Sequence, residues 1–412
     1  EGFINLVEAF GGGRDDRKLQ ELVYNLFSFS MSGPWPEKWL LDKAEEFNIP
    51  EDFAIEKSPW GEIILEGIKT ELQGMKRRLD YALEIISDTA GLEPYEVTFT
   101  GDMEVIDNLY AKVEEGYSSA QRAFTLAAFS KLKAVRKANV SDPAAQDKVK
   151  AIRDDIKKKI SSIGKGTLAV TEEEAIRNIK AMYPYMSELS KLVLEFKDRY
   201  AALKKERGIV DFNDLEHFCL EILTEKDGEE IKPSDVALSL RETFEEILVD
   251  EYQDSNNVQE TIINMVSRKF SERPNVFMVG DVKQSIYRFR QAKPELFLDK
   301  YARYPEEEGE LNRKILLYKN FRSRDEVLRG VNYLFKELMS ETVGELSYTD
   351  KEALNLGADF QESDQENDIV GGPIELHILN TQEEEGKSSE ELRGKSEELK
   401  DKEQGLKGSE EV

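Results

Sequence analysis

The stretch ILVDEYQD, residues 247–254, decides the fold of this chain. An apolar run of strand length leads into two adjacent carboxylates, Asp250 and Glu251, and Asp254 adds a third. Carboxylates at the C-terminal end of a buried strand lie where open α/β sheets bind their ligands. In a nucleotide hydrolase, Asp250 would hold Mg²⁺ and Glu251 would orient or deprotonate the attacking water. A solvated acidic turn after a strand is the alternative, and this stretch alone does not decide between the two.

A second apolar run, residues 275–279, predicts another strand downstream, and the sequence GDVKQSIYRFR follows it. Gly280 permits a tight turn that a side chain would obstruct. Gln284 is a neutral donor and acceptor, suited to sensing a terminal phosphate. Tyr287 and Phe289 alternate with arginines, and rings beside cations favour the binding of single-stranded nucleic acid. Packing of one of these rings in the core is the alternative.

A third block begins with ILLY, residues 315–318, which predicts a strand, and ends in KNFRSR. Ser323 is expected to cap the helix that follows. Arg322 lies at the predicted strand-to-helix junction, where it would reach a phosphate. An arginine finger of this kind contributes roughly 10³–10⁵ in rate. The block is weak by itself, since most such arginines form surface ion pairs.

In this order and spacing, the three blocks resemble motifs II, III and IV of superfamily 1 helicases of the UvrD/Rep type. The resemblance is closer still to the AddA-type helicase–nuclease subunits of bacterial recombination-repair complexes. The sequence GIVDFNDL, residues 208–215, resembles the D-F-x-D-L element that precedes motif II in this superfamily. The resemblance covers roughly residues 1–380 and is most specific in 208–324. Softer similarities are the opening Phe3 to Phe10, the glycines 11–13, residues 34–40 and 344–346, and the region around Leu354, Gly357 and Ala358.

The resemblance implies a role for each motif residue. Asp250 matches the acid that coordinates Mg²⁺, and Glu251 matches the catalytic base. Gln284 matches the γ-phosphate sensor that couples nucleotide state to the grip on DNA, and Arg322 matches the motif IV arginine that contacts the γ-phosphate. Tyr287 and Phe289 match the aromatic positions that meet the bases of the tracking strand. Arg290 matches a residue near the ATP–DNA interface. Many relatives carry Trp where this chain has Phe289, which still stacks but with less area.

The phosphate-binding loop G-x-x-x-x-G-K-[ST] does not occur in this sequence. That loop supplies a backbone N–H cradle and a lysine for the β- and γ-phosphates of ATP. Residues 163–167, IGKGT, are superficially similar, but their second glycine follows the lysine, and we interpret them as a loop. Because residue 1 is Glu and this loop is absent, we expect an internal piece of a longer protein, lacking also the nuclease domain. Alone, it is expected to hydrolyse ATP poorly.

The composition restricts the class of protein. A chain of 412 residues can bury a large core and is expected to hold two or more domains. The net charge of −27 argues against broad electrostatic binding to DNA, although acidic motors can focus positive charge in one channel. No apolar run approaches the roughly 20 residues of a membrane span, and no signal peptide is visible, which favours a cytoplasmic protein without a membrane partner. The sequence has a single cysteine, Cys219, which argues against an internal disulfide framework. It has two histidines, His217 and His377, which argue against a His-rich metal site.

Apolar residues at helical spacing dominate the first half of the chain. We therefore expect residues 1–190 to form a helical domain. By resemblance, this is the 1B insertion that lies over the DNA in these motors, and its basic clusters at 76–78 and 157–159 are candidates for phosphate contacts. The segments with the clearest helical spacing are 66–87, 103–138, 144–161 and 172–206.

Strand and helix patterns alternate over residues 191–340, as is typical of a parallel α/β sheet. Asp211 and Ser255 are expected N-caps of two of its helices. By resemblance, this region is the C-terminal part of the RecA-like motor lobe 1A. The predicted fold class is thus α/β: a partial RecA-like parallel-sheet motor lobe with a large helical insertion domain.

The C-terminal part of the chain changes character. Residues 341–380 resemble the start of the second motor lobe, with a strand predicted at 373–379. Residues 381–412 form an acidic, low-complexity tail of Glu, Lys, Ser and Gly with almost no large apolar residues. Such a composition cannot build a core, so we expect the tail to be disordered.

The resemblance implies part of the motor of an ATP-dependent 3′→5′ DNA helicase, with ATP and Mg²⁺ as cofactors and single- and double-stranded DNA as partners. The full-length protein would also carry an exonuclease and pair with an AddB-type nuclease subunit to process double-strand breaks. One alternative is a UvrD/Rep-like repair helicase without a nuclease. The other is a non-catalytic DNA-binding or assembly module that kept the motor fold. A phosphate-binding loop upstream of Glu1 would decide against the latter.

Overall fold

The computed structural model describes residues 2–11, 15–227, 230–269, 271–344, 346–360, 372 and 374–377. The chain divides into two compact units, Glu1–Ile315 and Leu316–Val412. The predicted tail 381–412, two of the glycines at 11–13 and the ends of the predicted strand 373–379 lie outside the described residues. No described helix is both long and apolar enough to cross a membrane.

The first unit consists mainly of helices. Its helices are α1 (Gly2–Phe10), α2 (Arg17–Ser30), α3 (Pro36–Glu45), α4 (Pro59–Asp88), α5 (Glu96–Glu114), α6 (Tyr117–Leu126), α7 (Pro143–Lys165), α8 (Glu172–Arg207), α9 (Phe212–Leu223), α10 (Asp235–Thr243), α11 (Asn257–Val266) and α12 (Pro294–Arg303). Its strands are β1 (Thr224–Asp227), β2 (Glu230–Pro233), β3 (Ile247–Val249) and β4 (Val276–Met278).

Helix α4 organises the larger of the helical cores. Ser58 caps its first turn by accepting a hydrogen bond from the Gly61 N–H at 3.2 Å, and Pro59 has the preset φ that a first helical residue needs. Buried side chains then recur every three or four residues, so one face of α4 packs against α5 and α7. The helix predicted at 66–87 is confirmed and starts earlier. The buried side chains of this face are Leu65, Ile68, Leu72, Met75, Leu79, Ala82 and Ile86.

The helix predicted over 103–138 is wrong in its last part. Helices α5 and α6 cover the segment only as far as Leu126, and residues 127–136 have no regular structure. Side chains of α7 bind two backbone carbonyls of this segment: one accepts from Arg153 at 2.7 Å and another from Gln146 at 3.1 Å. Apolar spacing alone could not distinguish a helix from a segment bound by side chains of another helix.

The ends of helices α7 and α8 also refine the predictions. Residues 163–165, predicted as a loop, form the last turn of α7. Helix α8 starts at a capping box, in which Thr171 and Glu174 each accept from the other's backbone N–H, and ends where Gly208 adopts φ +63°. With α1, α2 and α3 it encloses a second core of Leu6, Leu19, Val23, Phe27, Met31, Leu40, Leu189 and Val193.

Strands β3 and β4 pair in parallel, as the sequence predicts. Ile247 lies opposite Val276, and Val249 lies opposite Met278. Strands β1 and β2 form a separate antiparallel pair, which the sequence did not predict. Asp211 caps α9 in a capping box with Asp214, as expected.

The N-cap predicted at Ser255 is displaced by one residue. Asn256 caps α11 instead, because its Oδ1 accepts from the Gln259 N–H at 2.8 Å while the Gln259 side chain accepts from the Asn256 N–H. The Ser255 N–H donates to the Tyr252 carbonyl at 3.1 Å and so closes the turn before the helix. Two adjacent residues with capping side chains made the position ambiguous in the sequence.

The second unit contains helices α13 (Asp325–Leu338) and α14 (Glu341–Gly344) and a short parallel pair of β5 (Lys319–Asn320) with β6 (Asn355–Leu356). The strand predicted at 315–318 is wrong, since only the next two residues pair. The described part of the predicted strand 373–379, residues 374–377, likewise contains no strand.

The cap predicted at Ser323 is also wrong. Helix α13 has Arg324 at its N-cap position and no side-chain cap. The Asn320 Oδ1 instead accepts from the backbone N–H groups of Arg322 at 2.9 Å and Ser323 at 2.8 Å. An asparagine that precedes the turn therefore fixes it, which is a local competition between polar side chains for the same backbone groups.

Candidate functional site

The parallel pairing of β3 and β4 brings the two acidic and glycine-containing motifs to one edge of the sheet. The Val279 N–H donates to the Val249 carbonyl at 2.8 Å, and the Tyr252 N–H donates back to the Val279 carbonyl at 2.9 Å. Asp250 and Glu251, which follow β3, therefore lie beside the turn that follows β4. This is the edge at which parallel α/β sheets bind ligands.

Glu251 has an uncommon backbone conformation, with φ +48° and ψ 42°. A residue other than glycine in this left-handed region costs of order 1–3 kcal/mol, and it persists only where its surroundings fix it. Here the Glu251 N–H donates to the Asp250 Oδ1 at 2.9 Å, and the Glu251 carbonyl accepts from the Asp254 N–H at 2.9 Å. The conformation leaves both predicted carboxylates, Asp250 and Glu251, exposed.

A buried amide, Gln253, joins the two motifs. Its side chain is 1% exposed. Its Nε2 donates to the Glu251 Oε2 at 2.7 Å, and its Oε1 accepts from the Asp281 N–H at 3.0 Å. Sequence reasoning missed this residue, because an amide between carboxylates has no local periodic signal. Its position inside the acidic motif was the only clue.

Gly280 is needed for close approach rather than for a special turn. Among the described residues with positive φ, Gly280 does not appear. A Cβ built on it would lie 2.5 Å from the Gln253 Oε1, 3.1 Å from the Phe297 Cε2 and 3.2 Å from the Tyr252 backbone nitrogen. The prediction that a side chain would obstruct this position is therefore supported by contacts with the buried amide.

The third carboxylate of the acidic motif, Asp254, lies partly buried behind Glu251. Burial raises the pKa of Asp254 above its ordinary value, and the nearby Glu251 carboxylate raises it further. Its Oδ1 is buried without a hydrogen-bond partner among the described residues. Asp254 thus retains its negative charge less easily than an exposed aspartate would.

Tyr252 belongs to a buried polar cluster that holds the acidic loop in place. Its hydroxyl donates to the Glu260 Oε2 at 2.6 Å, and the ammonium groups of Lys269 and Lys300 each lie 3.0 Å from the Glu260 Oε1. Burial disfavours the charged form of Glu260, but these three donors outweigh it and hold its pKa below the ordinary value. Burial lowers the pKa of Lys300 and raises that of Tyr252. No sequence pattern predicted this cluster, since its members come from four separate segments.

Gln284 lies on the turn after β4 and is exposed, as a phosphate sensor would have to be. Its Nε2 donates to the Asp281 Oδ2 at 3.1 Å. The other oxygen of Asp281 accepts from the Lys283 backbone N–H at 3.1 Å and pairs with the Lys283 ammonium at 2.8 Å. Asp281, at the start of the turn, therefore binds the two residues at its end and holds Gln284 at the same edge as Glu251.

Tyr287, Phe289 and Arg290 form an exposed cluster a few residues further on. The two ring centroids lie 6.0 Å apart, and the Arg290 guanidinium carbon lies 5.1 Å from the Tyr287 centroid and 5.6 Å from that of Phe289. Phe289 is 73% exposed, so packing in the core does not explain this ring. The Lys293 N–H, just beyond the cluster, donates to the Ser255 carbonyl at 2.9 Å and ties this segment to the acidic motif.

Arg322 lies in the second unit, exposed on the turn between β5 and α13. The first unit brings together Asp250, Glu251 and Gln284, and holds the aromatic cluster on the same connecting segment.

The histidine and the cysteine of α9 have structural contacts. His217 bonds the Met31 carbonyl at 3.0 Å from the face of α9, and Cys219 is partly buried in a small apolar cluster.

Two further features bear on charge at the surface. The basic cluster at 76–78 is partly neutralised, because Lys76 pairs with Asp107 and Arg78 pairs with Asp155, each at 2.5 Å. Within the described residues, no group of three or more His, Cys, Asp or Glu side chains could hold a metal ion. A nucleotide-bound Mg²⁺ uses only one or two protein carboxylates and takes its other ligands from phosphates and water, which the exposed Asp250 fits.

The family model for the UvrD/REP helicase N-terminal domain matches residues 96–305, which include the acidic motif, the glycine turn and the aromatic cluster. The chain belongs to the UvrD/REP helicase family. The family resemblance predicted from the motifs is therefore confirmed.

Three curated relatives extend this comparison beyond the matched domain. The chain is 52% identical over 385 residues to the A subunit of the ATP-dependent helicase/nuclease of Clostridium beijerinckii, covering 93% of this chain and 31% of that protein. The proteins of the same name from Clostridium botulinum and Acetivibrio thermocellus are 51% and 48% identical, over 94% and 96% of this chain and 31% and 32% of their own lengths. The chain thus spans about a third of the length of the relatives it matches.

Proposed function

We propose that this chain carries the water-activating and phosphate-sensing part of the ATP site of a DNA helicase motor. In this proposal, the full-length protein is an ATP-dependent 3′→5′ helicase–nuclease of the AddA type. One observation supports it above all: β3 and β4 deliver Asp250, Glu251 and Gln284 to one sheet edge, where Gln253 and Asp281 connect Glu251 to Gln284 by hydrogen bonds. The relatives, which are named for an ATP-dependent helicase/nuclease, give the reaction class.

Each site residue has a defined task in this proposal. Glu251 is exposed and oriented by Gln253, so it can accept the proton of a water that attacks the γ-phosphate. Asp250 holds Mg²⁺, which when bound neutralises charge on the phosphate oxygens. The Gln284 amide senses the γ-phosphate at the same edge. Arg322 is the proposed cation that stabilises the transferring phosphoryl group.

The aromatic cluster is the proposed contact with single-stranded DNA. Tyr287 and Phe289 offer exposed faces for base stacking, which is worth roughly 1–3 kcal/mol per base, and Arg290 adds a cation beside both rings. Because the cluster follows the Gln284 turn directly, a change at the nucleotide edge has a short covalent path to the DNA. This arrangement suits a motor that alternates between tight and weak binding of DNA.

The domain division and the partners follow from the same proposal. A cytoplasmic heterodimer with an AddB-type nuclease subunit would unwind and trim double-stranded DNA ends for recombination and double-strand break repair. The proposed domains are a helical 1B-like insertion at 1–190, the C-terminal part of RecA-like lobe 1A at 191–340, the start of the second lobe at 341–380 and an acidic tail at 381–412.

The test is the variant Glu251→Gln in the full-length protein. Loss of a general base should lower the rate of ATP hydrolysis by roughly 10²–10⁴-fold, while binding of a single-stranded oligonucleotide is retained. The matched control is Glu246→Gln, which makes the same change at an exposed residue just before β3 and should leave turnover unchanged. Wild-type turnover in Glu251→Gln would overturn the assignment.

A second measurement tests polarity and the nuclease. The full-length protein should unwind a duplex with a 3′ single-stranded tail and leave a 5′-tailed duplex intact. It should also degrade DNA ends in a reaction that Glu251→Gln does not abolish when a single-stranded substrate is offered. Unwinding without degradation would favour a repair helicase that lacks a nuclease, and the absence of both would favour a non-catalytic module.

A further inference from the structure

One chain of hydrogen bonds runs from Glu251 to Gln284. The Glu251 Oε2 accepts from the Gln253 Nε2 at 2.7 Å, and the Gln253 Oε1 accepts from the Asp281 N–H at 3.0 Å. The Asp281 Oδ2 then accepts from the Gln284 Nε2 at 3.1 Å. The proposed base and the proposed phosphate sensor, which are far apart in sequence, are thus linked through the buried Gln253 side chain and through Asp281.

Only an amide of this length satisfies both ends of the link. The Asp281 backbone N–H can only donate, so the oxygen of the Gln253 amide must face it, and the NH₂ group must then face Glu251. A carboxylate at position 253 would keep the acceptor but would lose the donor and place a second negative charge beside Glu251. An apolar side chain of the same length would satisfy neither neighbour.

The surroundings hold this amide in one place. Gln253 is 1% exposed, and it lies against Gly280, where a Cβ would come within 2.5 Å of its Oε1. The two residues that precede Gln253 are also held in place, because Glu251 adopts the left-handed region and the Tyr252 hydroxyl is bonded to Glu260. A side chain confined in this way transmits displacement at one end to the other, since close-packed groups have little room to relax.

We propose that Gln253 is a positioning residue that aims Glu251 and couples it to the 280–284 turn. The inference rests on the proposed function, because it takes Glu251 as the base and Gln284 as the sensor. When nucleotide or DNA moves the turn, the Asp281 N–H moves Gln253, and Gln253 reorients the Glu251 carboxylate. Gln253 does not touch substrate in this scheme; it sets the efficiency with which DNA stimulates ATP hydrolysis.

The test uses Gln253→Met and Gln253→Glu in the full-length protein, with oligo(dT) as the DNA probe. Both variants keep the length of the side chain. We expect kcat with DNA to fall about 10–100-fold while KM for ATP stays within about threefold, because binding contacts are untouched. The ratio of DNA-stimulated to DNA-free turnover should fall by a factor in the usual range for coupled sites, roughly 5–150-fold.

The matched control is Gln73→Glu, an exposed glutamine on α4 whose partner is the Tyr110 hydroxyl at 3.3 Å. A hydroxyl can donate to a carboxylate as well, so this variant should keep wild-type kcat and stimulation ratio. Thermal unfolding of every variant is measured alongside. If kcat falls only in step with the folded fraction, and the stimulation ratio is unchanged, Gln253 has a structural role and the inference is wrong.

Gly280→Ala approaches the same contact from the other side. The added methyl group would displace the Gln253 amide, so it should lower kcat and the stimulation ratio in the wild-type background. In a Gln253→Ala background, where the amide is absent, the same change should cost clearly less. Equal and additive losses in the two backgrounds would contradict the inference.

The outcomes also separate this inference from the proposed function. If Glu251→Gln abolishes hydrolysis but the Gln253 variants keep wild-type kcat and stimulation, the coupling role fails and the proposed function stands. If Glu251→Gln itself turns over normally, the proposed function fails, and the coupling role fails with it.

Discussion

The helical region, residues 2–207, and the motif region, residues 208–315, are stabilised in different ways. Among the described residues, the helical region encloses two apolar cores with 23 and 8 buried side chains, whereas the largest apolar cluster of the motif region has 3. The motif region depends instead on directed polar contacts, such as the Gln253 bridge and the Glu260 cluster. Apolar packing fixes a shape, whereas polar contacts place particular atoms, which is what a reactive site needs.

The sheet illustrates the same difference. Leu248 and Phe277 lie opposite each other in the β3–β4 register, so they share one face of the sheet. They are 71% and 54% exposed, in contrast to the fully buried Leu72 of α4. Truncating apolar side chains should therefore affect the two regions unequally.

The largest expected effect is in the helical region, at the buried ion pair of Arg153 with Asp102. Among the described residues, Asp102→Ala would leave the buried Arg153 guanidinium with only a backbone carbonyl partner, so the free energy of unfolding should fall by about 3–5 kcal/mol. Urea unfolding measures it. The exposed pair of Lys38 with Asp42 is the control, and Asp42→Ala should cost less than about 1 kcal/mol. Equal losses would show that burial does not distinguish the two pairs.

Leu72→Ala tests the apolar half of the comparison. It creates a cavity in the larger core and should lower the free energy of unfolding by about 2–5 kcal/mol. Leu248→Ala, the same truncation on the exposed sheet face, should change it by less than about 0.5 kcal/mol. A large loss at Leu248 in urea unfolding would mean that the sheet face is covered, and the comparison would fail.

Glu260→Gln tests the polar half and its dependence on pH. The folded state holds the pKa of Glu260 below its ordinary value of 4.5, so its charge stabilises the fold above that value, and this contribution is lost as pH falls through the folded pKa. At pH 7 the variant should lose about 1–3 kcal/mol, the cost of weakened hydrogen bonds to charged groups. Unfolding at about pH 7 and about pH 3 should show this difference shrinking in acid. A difference independent of pH would contradict the assignment.

Asp211→Ala gives the smallest expected effect, at the junction of the two regions. Asp211 caps α9 and pairs with the Lys204 ammonium at 2.8 Å, so its removal should cost about 0.5–2 kcal/mol. Asp16 is the matched control, because it holds the N-cap position of α2 without a side-chain cap bond. Asp16→Ala should therefore cost less than Asp211→Ala in the same unfolding assay. The reverse order would show that the cap bond at α9 contributes little.

Several predictions that rest on near neighbours in sequence are confirmed. The Asp211 cap involves residues only three apart, and the apolar spacing of α4 and the β3 and β4 runs each report one buried face. Failures occurred where two local candidates competed, as at Ser255 and Ser323, or where a distant side chain took a backbone carbonyl, as Arg153 does with the segment after α6. Local patterns contain no information about a partner on another helix.

The sequence by itself determined the order of the motifs, the helical first half, the parallel pairing of β3 with β4 and the family. Each of these depends on residue type and short-range spacing. Only the tertiary structure decided that Gln253 links Glu251 to Asp281 and that Glu260 pairs with two lysines and binds the Tyr252 hydroxyl. It also decided that the buried Gln253 amide lies too close to Gly280 for a side chain at that position. These contacts join residues that are distant along the chain. Their existence depends on distances of a few ångströms that the folded backbone alone sets.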